Sequence, residues 1–137
     1  MVVKLSLFRI ALLLLLTTVS CGKAPPTTPN DAAPVGGTIV ATGSFGGTTV
    51  TGTVTVYSMG SNAYIIRLVD FNAPAEAGLQ MIAIINTNVT SATITLRAST
   101  GNQNYNFTSN LGNIAWSKIV IRSTQNPSGI GEAPLRP

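Results

Sequence analysis

Residues 48–57 read TTVTGTVTVY. Val50, Gly52, Val54 and Val56 fall on one side of an extended chain, and Thr49, Thr51, Thr53 and Thr55 fall on the other, because successive side chains of a strand point to opposite faces. A helix would scramble these two sets. The stretch is therefore predicted to be a β-strand with one face in a core and one in water. The same period of two recurs outward from it, at residues 64–71, 79–85, 92–97, 104–107 and 116–122. Between these lie 60–62, 72–74, 86–91, 101–102 and 112–113, rich in the turn formers Gly, Asn, Ser and Pro. Strands recurring about every ten to fifteen residues predict an all-β domain, a small antiparallel sandwich or barrel. In 81–85 the run is continuously apolar, which places that strand centrally with both faces covered. Residues 75–80 offer the one short helix, with little in their pattern to support it.

The chain has 137 residues, which suits a single domain. Charged residues make up only 9%, so the surface is built mainly from Thr, Ser, Asn and Gly. The formal charge is +4, but removing Lys4 and Arg9 with a leader takes it to +2. Lys23, Arg67, Arg97, Lys118, Arg122 and Arg136 are then scattered singly. A stripe able to follow a phosphate backbone is absent, and no nucleic-acid partner is expected.

Residues 1–20 have the three parts of a secretory signal. Lys4 and Arg9 give a positive start, and 10–16 a Leu-rich core that is too short to span a bilayer. Thr18-Val19-Ser20-Cys21-Gly22 follows. It resembles the bacterial lipobox, with Thr18 where Leu is usual. That resemblance implies cleavage before Cys21, diacylglyceryl attachment to its thiol and acylation of the new amine. Two or more acyl chains hold a protein on a membrane, each buried methylene adding roughly 0.8 kcal/mol. The expected partner of Cys21 is thus a lipid bilayer, at the outer membrane or the outer leaflet of the plasma membrane. Cys21 is the only cysteine, so no disulfide forms within one chain. Residues 21–37 hold this Cys and a stretch with four prolines and almost nothing large and apolar. They are expected to be a tether, reaching roughly 50 Å at about 3.1 Å per residue, with the β-domain at 38–137.

Seven segments carry a further resemblance: GSF (43–45), VTGTVTVY (50–57), IIRLVDF (65–71), GLQMIAIIN (78–86), GNQNY (101–105), KIVIRS (118–123) and IGEAPL (130–135). Their order is similar to that of the DM-thirteen domain, a small β-domain of animal extracellular proteins and bacterial lipoproteins. The resemblance implies a β-fold outside the cytoplasm. It also implies an electron-transfer role, through a cysteine that follows a Val-Ile-Trp stretch. Here Arg122 stands at the Trp position and Ser123 at the Cys position, and Gly78 stands where relatives tend to have Asp. An alcohol cannot form the thiolate, disulfide or sulfenic states of a redox cysteine. A redox role in this copy would need a bound cofactor, and none is expected.

The chain has no histidine, which excludes imidazole triads and the usual zinc sites. Carboxylates beyond the leader are Asp31, Asp70, Glu76 and Glu132. Asp70 with Glu76 could flank a glycosidic bond. Asp70 fits better as a strand end receiving backbone donors or an Arg, and no enzyme activity is expected. The stretch 101–110, GNQNYNFTSN, is the most unusual local composition. Asn102, Gln103, Asn104 and Tyr105 are candidates for contact with a carbohydrate or peptide, through amide hydrogen bonds and ring stacking. The competing reading sends Tyr105 and Phe107 into the core at period two, and Trp116 likewise. The expected function is a non-catalytic binding or adhesion module at the cell envelope, with an envelope glycan or protein as partner.

Overall fold

A computed structural model describes residues 27–86, 89–111 and 114–137. The expected export signal and Cys21 lie outside them. Eight strands follow one another: β1 (Thr38–Ser44), β2 (Thr51–Gly60), β3 (Ala63–Asn72), β4 (Gln80–Ile85), β5 (Val89–Thr95), β6 (Thr100–Thr108), β7 (Trp116–Arg122) and β8 (Gly131–Arg136). The described residues include no helix. The strands form one antiparallel sheet in the order β5-β4-β7-β8-β1-β2-β3-β6, curled into a half-barrel. The fold is all-β.

The Val/Thr alternation that predicts β2 also positions it. Val50, Val54 and Val56 are fully buried, while Thr51 and Thr53 are exposed. They meet Ile66 and Leu68 from β3, Met81, Ala83 and Ile85 from β4, Ile119 and Ile121 from β7, and Ala133 and Leu135 from β8 in one core. Trp116 stands edge-on to Tyr64 and Phe107, with centroids 5.4 and 5.6 Å away. It joins β7 of one half to β3 and β6 of the other, a core role.

Local backbone chemistry sets the turns. Ser61 and Asn62 link β2 to β3 with φ of 49° and 64°, the pair of positive values that a type I′ hairpin needs. Gly52 has φ +113°, and a Cβ there would lie within 3 Å of Val69 O, Asp70 O and Phe71 Cα. It faces the irregularity where Asp70 adopts φ 50° and the β2–β3 register shifts, so only glycine lets the two backbones meet.

Two expectations are corrected. Residues 75–80 form no helix: after Pro74 the chain turns at Ala77 and Gly78, whose φ of +65° stops helical propagation. Strand β4 lies between β5 and β7, but only one of its faces is covered. Met81, Ala83 and Ile85 are buried, whereas Ile82 and Ile84 are half-buried on the outer face. A single curled sheet has one interior, so its outer face has no second layer over it. The C-terminal β8, with Glu132 and Pro134 inside it, is a strand that periodicity did not single out.

Ile66→Ala should lower stability by about 2–5 kcal/mol in urea unfolding, the range for emptying a packed aliphatic site. Ile39→Ala, at a side chain 55% exposed, should change it by less than about 1 kcal/mol.

Candidate functional site

The structure brings Asn102, Gln103, Asn104 and Tyr105 together on β6, an outer strand of the sheet. The pleat divides them into two pairs. Gln103 and Tyr105 point inward and are buried. Gln103 Nε2 donates to Ala98 O at 3.1 Å and Thr100 O at 3.2 Å, and its Oε1 accepts from the Tyr105 hydroxyl. That hydroxyl accepts from Arg97 N–H at 3.0 Å, and burial pushes it above its ordinary pKa. The Tyr105 ring is therefore no stacking platform for a ligand, and it carries the Arg97 guanidinium 5.7 Å from its centroid.

Asn102 and Asn104 point outward and hold residues 29–32 of the chain itself. Asn30 pairs with Asn102 as a parallel β-bridge. Asn102 N donates to Pro29 O at 2.9 Å, and Asp31 N to Asn102 O at 3.0 Å. Asn102 Nδ2 reaches Asn30 Oδ1 at 2.9 Å, and its Oδ1 accepts from Asp70 N at 2.8 Å. Asn104 Nδ2 donates to Ala32 O at 2.8 Å. The Asp31 carboxylate accepts from Asn104 N at 2.8 Å and from the Arg97 guanidinium. The Asn104 N–H, and then Arg97, hold it below the usual carboxylate range, and Asp31 in turn raises Arg97. Arg67 is 92% buried, and its Nη1 lies 2.8–2.9 Å from Asp31 O, Ala32 O and Asn104 Oδ1. Residues assigned to the tether by composition thus lie along the β6 edge.

Ser123, where the DM-thirteen resemblance would place a cysteine, is buried just beyond β7. Its hydroxyl donates to the Glu76 carboxylate and accepts from Asn126 N at 3.0 Å. Glu76 also accepts from Asn126 Nδ2 at 3.0 Å, and the Ser123 hydroxyl holds its pKa below the ordinary value. A carboxylate so stabilised as its anion is a poor proton acceptor at Ser123. Among the described residues no three His, Cys, Asp or Glu side chains gather as a metal site. Gly78 packs beside this cluster. Its φ is +65°, and a Cβ there would lie 2.6 Å from Thr124 Cγ2, so any side chain at this position would be strained and would displace Thr124.

A groove opens elsewhere. Strands β1 and β8 pair at Thr42 with Arg136 and Gly43 with Leu135. Over the outer face of β1, β2 and β8 lies an open groove of about 820 Å³, lined by Thr42, Ser44, Thr53, Thr55, Glu132 and Arg136 among others. Register explains why these side chains meet. Thr42 faces Thr55 and Arg136, and Ser44 faces Thr53, all on the outer side of a sheet whose alternate residues are buried. Four hydroxyls that donate and accept, one guanidinium and one carboxylate make a hydrogen-bonding surface with no aromatic lining. Glu132 also pairs with Lys118 at 2.7 Å, an exposed contact worth at most about 1 kcal/mol. Sequence reading missed this groove, since the Thr face of β2 was visible but its neighbours depend on pairing residues about ninety apart in sequence.

Gln103→Leu should destabilise the fold by about 2–4 kcal/mol in urea unfolding, because two carbonyls and a phenol lose their buried partner. Asp31 and Glu76 ionise more readily in the folded chain than when unfolded. Their contribution to stability is therefore present above the ordinary carboxylate range and is lost as pH falls through their lowered folded values. Carbon-detected NMR titration should place both below ordinary Asp and Glu, and Ser123→Ala should raise Glu76.

No protein-family model, no curated protein and no solved structure matches the chain. The functional reading accordingly rests on the geometry above.

Proposed function

We propose that the chain is a membrane-anchored lipoprotein of the bacterial cell envelope whose β-domain is a non-catalytic binding module. The observation that carries the reading is the groove at the β1–β8 seam, where Thr42, Ser44, Thr53, Thr55, Glu132 and Arg136 converge. Neutral hydroxyls flanked by one cation and one anion suit a polar, uncharged ligand rich in hydroxyl or amide groups. The class that matches is an envelope glycan, or a peptide presented in extended form. The two carboxylates nearest to catalytic candidacy support the non-catalytic reading. Asp70 is exposed on a strand irregularity, and Glu76 is held as an anion by Ser123 and Asn126. The leader, the lipobox-like stretch at 18–22 and the order of DM-thirteen-like segments support the location. With Ser123 at the cysteine position, they also support a copy of that domain without thiol redox chemistry.

The purified protein should bind at least one member of an envelope-glycan array or capture one envelope partner in a pull-down. Arg136→Ala and Thr55→Val should each weaken that binding by about 5- to 20-fold, corresponding to one or two lost hydrogen bonds. Well-folded protein that binds nothing in either assay would end this reading. For the anchor, Cys21→Ser should abolish processing and acylation, as read by intact mass, and the variant should carry no lipid.

A further inference from the structure

The chain that precedes β1 has no apolar reason to lie on the domain. No described residue from 27 to 37 is buried, Val35 is 92% exposed, and Gly36 turns the backbone with φ +81°. Residues 29–32 are nevertheless held at β6 by two ladder bonds and by an ion pair. A charge match supports them, because Arg97 pairs with the only carboxylate in the segment, while Arg67 holds the backbone carbonyl of the same residue. The Arg67 guanidinium is covered while two of its acceptors, Asp31 O and Ala32 O, come from that segment.

We propose that the β6 edge is a docking site for an extended acidic peptide, read by Arg67, Arg97 and the Asn102 and Asn104 backbone, and that the chain's own Pro29, Asn30, Asp31 and Ala32 fill it as a latch. A ligand fused to its receptor is held at an effective concentration that reaches millimolar for short linkers, so a set of polar contacts too weak to retain a free peptide suffices in cis. Closing the latch moves the point where the anchor leaves the domain from Thr38 to Pro29. Seven residues then separate Cys21 from the domain instead of sixteen, a reach of roughly 25 Å instead of roughly 50 Å. This change of height rests on the lipid-anchor reading above; the docking does not.

Hydrogen exchange on the whole chain tests the docking. At neutral pH the Asp31, Asn102 and Asn104 amides should be protected. Asp31→Asn and Arg97→Gln should each speed their exchange by tenfold or more and leave the Met81 and Ile121 amides unchanged. Acidification should open the same amides. The charged and titratable groups around Asp31 are Arg67 on β3, Arg97 after β5 and Tyr105 on β6. Full protection retained in Asp31→Asn would overturn the proposal. So would equal acceleration at Met81 and Ile121, which would mean that the variant merely loosens the fold. In a second arm, a blocked peptide of residues 27–34 added to the Asp31→Asn chain should shift the Asn102, Asn104 and Arg97 amide resonances at millimolar concentration. The same peptide with Asn in place of Asp should not, and no shift with either would also overturn the proposal. Bilayer-to-domain energy transfer on acylated protein separates the two readings: an opened latch with unchanged height removes the anchor geometry and leaves the docking site standing.

Discussion

Two residue pairs hold the two halves of this sheet together. Thr42 meets Arg136 and Gly43 meets Leu135, and through them four strands on one side continue into four on the other. Gly43 makes the seam, since a Cβ there would lie 2.3 Å from Pro134 O and 3.0 Å from the Leu135 side chain. That approach lets the halves fold toward each other, so that Val54, Val56, Ile66 and Leu68 face Met81, Ile119 and Ile121 in one core. On the outer face beside the seam lies the groove that the hydroxyl row lines.

Much of the fold was legible because burial imposes period two on every strand that has a wet face. TTVTGTVTVY determined β2 and its inner side, and Tyr105, Phe107 and Trp116 took the inward positions that their spacing implies. Strand β8 was not legible as such, because Gly131, Glu132 and Pro134 mark turns by composition, and only β7 and β1 on its two sides hold it extended. The apolar run of β4 misled in the other direction. Ile82 and Ile84 do not signify a second covering layer, since a curled single sheet tolerates half-buried aliphatics on its outer face.

The site was legible in part. The amide-rich stretch on β6 stood out by composition, but composition could not reveal that Asn102 and Asn104 meet residues 29–32, some seventy positions earlier. Nor could it separate Asp31 from the Pro-rich stretch around it. An outermost strand presents unpaired backbone groups that invite further pairing. At β6 the chain covers part of that row with its own residues, and Arg67 gains its seclusion by the same cover.

The single tryptophan lies where the two halves meet. Its indole touches Tyr64 and Phe107 across the interior, and it belongs to β7 on the opposite side. Its fluorescence is therefore an intrinsic optical gauge of whether the half-barrel is shut. A ligand that pries β1 from β8 would register in that signal, whereas movement confined to residues 29–32, which lie along Asn102 and Asn104 rather than at Phe107, would leave it unchanged.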